Sequence, residues 1–380
     1  MTTPTLKTIA APRSLYLAFQ KVVGRTGART PGWDSVTAKG FSKQLGTNLQ
    51  RLSKELLTGR YRPEPYRVIL IPKQKGERQL SVPTIRDRVV HEAVRAGLAT
   101  YFEPLFLPSS FAYRSGRGVK AAHIYLKEML NLKHHSWVID ADIKSFFDSV
   151  DHLVLLELLA STLSDGKLYR LLSRLIRAAV IDNNRRKPLK RGIAQGSPLS
   201  PLLANLYLHQ LDVYMNQLEN VHPATAYLRY ADDFLVFCQT RKQATLIQKD
   251  LTGYLKTLKL SLSDKKTAVT KLQKGVPFLG LELKPKRNHL ALYIPSERKE
   301  KLIGKLNQYL EANKNDVNLD ILNKRLRGWC QGVAYADNAE RVFTDIDRVV
   351  QAKVLKQTGS RFIGRKVVIE TLFKAKSLVR

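Results

Sequence analysis

Two adjacent aspartates interrupt an apolar, β-prone run in the segment RYADDFLVF, residues 229–237. Aspartate is disfavoured in strands and is rarely buried without a partner. The apolar alternation on both sides predicts two strands over residues 226–238, with Asp232 and Asp233 at the turn between them. A carboxylate pair at a hairpin tip can bind a hard cation such as Mg²⁺ through its oxygens. An isolated Asp-Asp pair, however, also supplies ordinary turn chemistry.

A second acidic strand end lies earlier in the chain, in WVIDADIKSFFD, residues 137–148. Asp140 and Asp142 share one face of this predicted strand, because side chains alternate with a period of two. If the two strand ends meet, three carboxylates form a site for two divalent ions, and such a site suits in-line phosphoryl transfer. The acidic residues alone leave a nuclease and a polymerase both open.

The charge of the chain indicates a polyanionic partner. Its 380 residues include 64 Lys and Arg against 32 Asp and Glu, a formal net charge of +32, which favours nucleic acid. No segment approaches the roughly 18 uncharged apolar residues of a transmembrane helix, so no membrane partner is expected. The N-terminus has no secretory pattern, and the two isolated cysteines, Cys238 and Cys330, predict neither a disulfide framework nor a cysteine zinc site. A reducing cytoplasm is the expected location.

The hydrophobic pattern predicts an α+β body up to residue 295 and an all-helical, basic region from Ser296 onward. The predicted helices cover residues 13–60, 85–105, 116–133, 151–181 and 241–258. The predicted strands and hairpins cover residues 66–82, 137–143, 182–192, 226–238 and 276–284.

Nine blocks of the sequence resemble reverse transcriptases, most closely those of the group II intron lineage. The resemblance runs from Gly27 to Val350 and is carried by GARTPGWDSV, LTGRYRPEPYRVILIPKQKGERQLSVPTIRDRVV, SSFAYRSGRGVKAAH, WVIDADIKSFFDSVDH, RGIAQGSPLSPLLANLYL, LRYADDFLVF, LSLSDKKT, FLGLEL and LRGWCQGVAYADNAERVFTDID. It implies a right-hand polymerase of the α+β class, with fingers and palm built from an antiparallel palm sheet plus helices, and with an all-α thumb. The implied domains are an N-terminal helical extension (1–60), fingers and palm (61–295) and a thumb or maturase-like domain with a basic tail (296–380).

Such an enzyme copies an RNA template into cDNA from a primer 3′-OH by two-metal nucleotidyl transfer. The resemblance implies two Mg²⁺ ions as cofactors, for which Mn²⁺ can substitute. The implied partners are an RNA template, a DNA or RNA primer and dNTPs. A cognate structured RNA and an accessory protein are further candidates.

The metal ligands follow from the acidic motifs. Asp142 matches the carboxylate of the first palm motif, and Asp232 and Asp233 match the paired aspartates of the YxDD motif. The resemblance adds the backbone carbonyl of Ile143 as a further ligand. We interpret Asp140 as a neighbour of this site rather than a ligand.

Several residues resemble those that bind the incoming nucleotide. Phe147 lies where related polymerases carry a bulky gate against the sugar C2′, with Phe146 as the competing candidate. Gln195 resembles a residue that contacts the nucleotide, and Gly196 would let the backbone approach closely.

Cations complete the predicted substrate site. Lys73 and Arg78 flank a tight turn and resemble fingertip cations that grip the triphosphate, although a solvated hairpin is the alternative. Lys266 is a candidate general acid for pyrophosphate, with Lys265 as its competitor.

Three further residues are predicted to contact nucleic acid. Arg114 and Arg117 lie in AYRSGRG, a block that resembles a segment near the template, and an ordinary loop is an equal alternative. Tyr230 is predicted to support the acidic turn and the primer end, with core packing as the alternative.

Other functions stay open at this stage. No Cys/His cluster precedes Arg380, so no zinc-bearing endonuclease is expected, and Ser200-Pro201 favours the intron lineage over diversity-generating retroelements. CRISPR adaptation and phage defence are alternative roles for the same enzyme. A template-directed RNA polymerase is opposed by Phe147, and a non-catalytic RNA-binding maturase is opposed by the three aspartates.

Overall fold

Helices and short strands alternate along the chain in the computed structural model, which describes residues 3–72, 77–130, 132–182, 185–222, 225–313 and 318–358. The helices α1 to α14 are, in chain order, Leu6–Ile9, Pro12–Val23, Ala38–Ser42, Leu45–Leu57, Ile85–Phe102, Val119–Met129, Phe146–Ser149, His152–Thr162, Gly166–Ile176, Ser200–Val221, Arg241–Thr257, Ser296–Ala312, Leu319–Gln331 and Ala339–Thr358. The strands β1 to β11 are Tyr66–Pro72, Glu77–Val82, Trp137–Asp142, Val180–Asp182, Arg185–Lys187, Ala226–Tyr230, Asp233–Cys238, Ala268–Lys271, Val276–Phe278, Leu281–Lys286 and His289–Tyr293. None of the described helices is both long and apolar enough to cross a bilayer.

A central antiparallel sheet, in the order β6-β7-β3-β8, joins the two acidic segments. β6 and β7 form the hairpin predicted over residues 226–238, and β3 is the strand predicted from residue 137, so both predictions are confirmed. β3 lies directly beside β7, with Asp142 opposite Asp233. The strand ends that carry the acidic motifs are therefore neighbours.

Both faces of the central sheet are buried, and packing on both faces holds its strands in place. Ile139 and Val236 belong to a core that includes residues of α1 to α5 and α8 to α11. Val138, Leu235 and Phe237 belong to a second core, shared with α6, β9 to β11 and α12 to α14. Burying one such aliphatic or aromatic side chain contributes about 1.5–3 kcal/mol. The sheet is therefore a rigid base for the polar residues at its end.

A second sheet has the order β2-β1-β4-β5. β1 pairs antiparallel with β2, which confirms the hairpin predicted over residues 66–82, and parallel with β4. Arg78 lies near the tip of this hairpin, opposite Ile71. Residues 73–76 of the tip, including Lys73, lie outside the described residues.

Three predicted elements are divided in the structure. The helix predicted over residues 151–181 is α8 and α9 followed by β4, because Asp165 caps a new helix by accepting from two backbone N–H groups of α9. The strand predicted over residues 276–284 is β9 and β10, because the chain reverses at Gly280, where φ is +82°. The helical stretch predicted over residues 13–60 is α2, α3 and α4.

Among the described residues after β11, helices are the only regular elements, which confirms the prediction from Ser296 onward. Helices α12 to α14 pack on the second core. Asp337 links them to the rest of the molecule, because its Oδ2 accepts from the Leu292 N–H (2.8 Å) and from Lys127 Nζ (2.9 Å). Residues 359–380, the basic end of the chain, lie outside the described residues.

Candidate active site

Asp142, Asp232 and Asp233 come together at one end of the central sheet. Asp142 is the last residue of β3 and Asp233 is the first residue of β7, and the two are cross-strand neighbours. The Ile143 N–H donates to the Asp232 carbonyl (3.3 Å). Asp142 and Asp233 therefore occupy the type of antiparallel pair in which side chains lie closest, with Cα atoms ~4.5 Å apart. The structure thus brings together the carboxylates that two distant motifs supply.

The turn that carries Asp232 is tight and strained. Only Ala231 and Asp232 separate Tyr230 from its partner Asp233, and Ala231 has a φ of +60°. A left-handed backbone costs a residue with a Cβ about 1–2 kcal/mol, and such strain is concentrated at functional sites. Tyr230 is half-buried and packs against the second core, so its contact with a primer stays a prediction.

The three aspartates and the neighbouring Asp140 form an acidic cluster, in which burial and crowded negative charge raise the pKa values of Asp140, Asp232 and Asp233. Burial and the neighbouring Asp142 and Asp232 carboxyls raise the pKa of Asp233 to about 7. Burial and Asp142 also raise the pKa of Asp232, and the same two causes raise the pKa of Asp140 to about 6. Carboxylates this close to one another favour a bound cation, because an opposite charge relieves their repulsion.

Lys266 is a cation that faces the cluster. Its Nζ lies 2.7 Å from Asp142 Oδ1, and its side chain is 64% exposed whereas that of Asp142 is 11% exposed. The hydrogen bond to Asp142 raises the pKa of Lys266. The predicted proton donor for pyrophosphate is therefore placed against a predicted metal ligand.

The donor set fits a hard divalent cation, since carboxylate oxygens are the ligands that Mg²⁺ prefers. Within the described ranges, however, no three His, Cys, Asp or Glu side chains are arranged as a ready metal site. The backbone brings Asp142, Asp232 and Asp233 to the same sheet end. Rotation about their Cα–Cβ bonds is what would turn the oxygens toward a shared ion.

A second polar group lies where the hairpin tip approaches the segment QGSP. Arg78 Nε donates to Gln195 Oε1 (2.9 Å), and Gln195 Nε2 donates to Asp148 Oδ1 (3.3 Å). Arginine only donates and an ionised carboxylate only accepts, so the two partners fix the orientation of the amide between them. We call these three side chains the Arg78 cluster. It unites two residues predicted to bind the nucleotide with Asp148, which was not predicted.

Phe147 is the accessible member of an aromatic pair beside this cluster. Phe146 is fully buried, whereas Phe147 is partly buried, and the two rings lie 5.5 Å apart in an edge-to-face arrangement. The Ile193 N–H donates to the Phe147 carbonyl (2.7 Å), which ties Phe147 to the segment of Gln195. Of the two phenylalanines, Phe147 is the one that a substrate can reach.

Comparison with known proteins identifies the family. Residues 71–283, which contain both the acidic cluster and the Arg78 cluster, match the family described as "Reverse transcriptase (RNA-dependent DNA polymerase)". The chain belongs to this reverse transcriptase family.

Relatives connect this reverse transcriptase with group II introns. Protein YkfC of Escherichia coli (strain K12) is 33% identical over 317 residues, which cover 74% of this chain and 83% of YkfC. The group II intron-encoded protein LtrA of Lactococcus lactis is 28% identical over 339 residues, which cover 73% of this chain and 56% of LtrA. An uncharacterized 91 kDa protein in the cob intron of Schizosaccharomyces pombe is 35% identical over 211 residues, 55% of this chain and 25% of that protein. The chain is a group II intron-like reverse transcriptase that spans little more than half of LtrA.

Gly196 lies against the backbone of strand β2. Its φ is +120°, and a Cβ at this position would lie 2.9 Å from the Ser81 carbonyl oxygen. The Ser81 N–H in turn donates to the Gln195 carbonyl (2.7 Å). Within the reverse transcriptase itself this glycine permits the close approach of strand β2, and its approach to a nucleotide stays a prediction.

Arg114 and Arg117 are engaged within the reverse transcriptase. The side chain of Arg114 is 6% exposed, pairs with Glu103 (2.8 Å) and donates to the Ser110 carbonyl (2.6 Å). Arg117 donates to the same carbonyl (3.1 Å) and lies 4.2 Å above the Phe111 ring. Both guanidinium groups satisfy backbone acceptors of their own loop. Direct contact of these two arginines with nucleic acid stays a prediction.

Three residues near the site were not singled out from the sequence. They are Asp148, Tyr113 and Arg229. Tyr113 is 55% exposed with a φ of +62°, and burial and the Asp232 carboxylate raise its pKa. Arg229 is a charged residue inside an apolar strand, and that signal was already visible in RYADDFLVF.

Proposed function

We propose that this protein copies an RNA template into cDNA by extending the 3′-OH of a bound primer. The observation that carries the proposal is the meeting of Asp142, Asp232 and Asp233 at the adjoining ends of β3 and β7. Membership of the reverse transcriptase family supports the same reaction class. An acidic cluster of this kind suits transfer of a nucleotidyl group, because the transition state of phosphoryl transfer carries dispersed negative charge that metal ions stabilise.

We assign the parts of the molecule to a right-hand polymerase. Residues 61–295 are the fingers and palm, with the central sheet as the palm, and residues 296–380 are the thumb. Residues 1–60 are an N-terminal extension whose helices share a core with α5. The order of elements, in which every described strand precedes α12 to α14, supports this assignment.

Two Mg²⁺ ions, or Mn²⁺ in their place, would be held by Asp142, Asp232, Asp233 and the Ile143 carbonyl. Bound there, they would activate the primer hydroxyl and stabilise the leaving oxygen. Lys266 is our candidate donor of a proton to pyrophosphate. Because Asp142 raises the pKa of Lys266, the lysine is a weak acid while the two are paired, and proton donation requires it to leave Asp142.

The Arg78 cluster would receive the incoming dNTP. The guanidinium of Arg78, together with Lys73, would bind the triphosphate, and the amide of Gln195 would contact the nucleotide. Phe147 would lie against the sugar C2′ and leave no room for a hydroxyl there. This arrangement predicts selection of dNTPs over rNTPs.

The nucleic-acid partners are an RNA template and a DNA or RNA primer, and we include a cognate structured RNA and an accessory protein as candidates. The net charge of +32 supports a polyanionic partner. Both cysteines, Cys238 and Cys330, are buried and unpaired, which supports a reducing cytoplasm as the location.

Primer extension on a defined RNA template tests the proposal. Wild-type protein should extend an annealed DNA primer in the presence of Mg²⁺ and dNTPs, and EDTA should stop the reaction. Asp233→Asn removes a predicted ligand and should lower the rate by at least about a hundredfold. Asp250→Asn, on the exposed face of α11, is the matched control and should leave the rate unchanged.

A non-catalytic RNA-binding maturase is the second candidate, and the names of two relatives, one encoded by a group II intron and one in the cob intron, favour a role with intron RNA. The two candidates differ in their response to Asp232→Ala. A polymerase loses cDNA synthesis and retains RNA binding in this variant. The maturase function replaces our proposal if two results are found together. The wild-type protein makes no cDNA on any primed template, and the wild-type and Asp232→Ala proteins bind structured RNA equally tightly.

A further inference from the structure

Arg229 is a buried cation beside the turn Ala231-Asp232, which we call the acidic turn. It is 0% exposed, and its Nε and Nη2 donate to the two carboxylate oxygens of Asp212 (2.7 and 2.6 Å). Its Nη1 donates to Asn205 Oδ1 (3.1 Å) and to the Ala231 carbonyl (3.0 Å). Its Nη2 also donates to Ser110 Oγ (2.7 Å). These bonds use all five N–H donors of a guanidinium, and we call the five residues the Arg229 cluster.

The cluster joins segments that are far apart in the sequence. Asp212 and Asn205 lie on α10, Ala231 lies in the acidic turn, and Ser110 lies in the loop that follows α5. A buried ion pair does not by itself stabilise a fold more than apolar packing of the same volume does. What the guanidinium adds, and an apolar side chain cannot, is a directed bond to each of these segments.

The acidic turn is held at both of its carbonyl groups. The Ala231 carbonyl accepts from Arg229, and the Asp232 carbonyl accepts from the Ile143 N–H (3.3 Å). The φ of +60° at Ala231 is unfavourable for a residue with a Cβ, so these bonds oppose relaxation of the turn. The orientation of the two peptide groups determines where the carboxylates of the turn point.

The same arginine also holds the loop FAYRSGRG, residues 111–118, which we call the Tyr113 loop. Its backbone carbonyl accepts from the Phe111 N–H (3.0 Å), as part of a parallel bridge at the edge of the central sheet. Asn205 Nδ2 donates to the Ala112 carbonyl (2.8 Å). Tyr113, the next residue, is exposed. Arg229 therefore connects the loop that presents this aromatic ring with the turn that presents the acids.

We propose that Arg229 is a positioning residue for nucleotide transfer. Its guanidinium holds the acidic turn and the Tyr113 loop in one fixed arrangement, so that Asp232 and Asp233 face Asp142. This inference rests on the proposed polymerase function and adds a residue that orients the acids without touching the substrate. Misplacing a reacting group by about 1 Å can cost a hundredfold in rate, so the effect of such a residue is measurable.

Three variants test the cluster in different ways. Arg229→Lys keeps the charge but lacks the planar fork of donors. Ser110→Ala removes the acceptor in the loop, and Ala231→Gly keeps every bond of the cluster but relieves the strain at residue 231 and frees the backbone of the turn to adopt other conformations. Tyr227→Phe is the matched control, because the Tyr227 hydroxyl donates to Asp212 (2.9 Å) and that bond reaches neither the turn nor the loop.

Three readouts separate positioning from folding. They are amide hydrogen exchange of residues 110–114 and 230–234 in the protein alone, the rate of single-nucleotide addition at saturating dNTP, and primer–template affinity by fluorescence anisotropy. Arg229→Lys should speed exchange in both segments and lower the rate at least about tenfold, with affinity within about twofold. Ser110→Ala should act in the same direction by about threefold, and Ala231→Gly should lower the rate while raising the thermal midpoint.

A folded Arg229→Lys with a wild-type rate would overturn the inference, and so would an equal loss of rate in Tyr227→Phe. If Arg229→Lys does not fold, Ser110→Ala and Ala231→Gly decide by the same readouts, and wild-type rates in both would refute the positioning role. If the wild-type protein extends no primer, the proposed function fails. The exchange pattern then decides alone whether Arg229 couples the turn to the loop.

Discussion

The Arg78 cluster and the Arg229 cluster contain the same three kinds of polar side chain in opposite surroundings. Each holds an arginine, an aspartate and a side-chain amide. In the buried Arg229 cluster the arginine and the aspartate contact each other directly, at 2.6 and 2.7 Å. In the exposed Arg78 cluster the amide lies between them, 2.9 Å from the arginine and 3.3 Å from the aspartate. A buried charge must meet its counter-charge, whereas solvent lets the two stay apart.

This difference in burial predicts that the Arg229 cluster contributes to the stability of the fold and that the Arg78 cluster contributes to substrate binding. Even in direct contact, an exposed pair of opposite charges contributes only about 0–1 kcal/mol because water screens it, so we expect the fold not to depend on the Arg78 cluster. Its donors can exchange protein partners for a ligand. The Arg229 cluster is completely satisfied within the protein and has no such freedom. We therefore expect changes in the buried cluster to affect folding, and changes in the exposed cluster to affect nucleotide affinity in an intact fold.

The largest expected effect is that of Asp212→Ala, which leaves the buried Arg229 without its counter-charge. Breaking a buried ion pair by removing one partner costs about 3–5 kcal/mol, and urea denaturation measures the loss in the free energy of unfolding. Asp148→Ala, the equivalent change in the exposed cluster, should cost less than about 0.5 kcal/mol. Similar losses in the two variants would contradict the division between the clusters.

The next largest expected effect is the pH dependence of the free energy of unfolding, to which the buried residue His91 contributes. His91 lies within hydrogen-bonding distance of Ser197 Oγ (2.8 Å), and burial, with a smaller contribution from Arg88, lowers its pKa to about 3. The unfolded chain, with a histidine pKa of about 6.5, binds more protons below that pH. Stability is therefore lost as the pH falls, by about 2 kcal/mol between pH 7.5 and pH 5 from this residue.

The contribution of His91 is measured as the difference in pH dependence between wild type and His91→Gln. Taking this difference cancels Asp87, whose buried carboxyl has its pKa raised to about 6 and so favours folding as the pH falls through that value. His289→Gln, at an exposed site, is the control and should leave the pH dependence unchanged. Parallel curves for wild type and His91→Gln would show that His91 is not held neutral by the fold.

Phe147→Val tests the role of the accessible phenylalanine, and its expected effect is intermediate in size. A smaller side chain opens space beside the sugar C2′, so discrimination between dCTP and rCTP should fall about tenfold, or ~1.4 kcal/mol. The measurement is the ratio of kcat/KM values in single-nucleotide addition. The buried neighbour supplies the control, since Phe146→Leu should lower the thermal midpoint and keep the discrimination. Loss of discrimination in Phe146→Leu alone would exchange the roles of the two rings.

Much of the fold could be predicted because hydrophobic periodicity reports local structure. The hairpin β1-β2, the hairpin β6-β7 and the strand β3 follow directly from alternation in the sequence. The breaks between α8 and α9 and between β9 and β10 were not predicted, because each depends on a single residue. Asp165 caps a helix and Gly280 permits a reversal, and neither changes the average pattern of a window of ten or more residues.

The acidic residues of the site could be predicted because they interrupt an apolar pattern at strand ends. The Arg229 cluster could not, because its bonds join residues as far apart as Ser110 and Arg229, and a sequence does not show where a side chain points. The contacts of Arg114 could not be predicted either, because they too depend on where a side chain points. A basic residue in a glycine-containing loop is typical of a surface contact, yet here it satisfies carbonyl groups of its own loop.

Asp148→Ala has the smallest expected effect and tests what exposure implies for the Arg78 cluster. Without this carboxylate, the amide of Gln195 loses the acceptor that fixes its orientation toward Arg78. An exposed hydrogen bond is worth about 0.5–1 kcal/mol, so the KM for dNTP should rise about threefold at unchanged kcat in steady-state primer extension. Asp148→Asn, whose amide oxygen still accepts, should restore most of the affinity. A lower kcat at unchanged KM would give the exposed aspartate a positioning role, and solvent exposure would then no longer distinguish the two clusters.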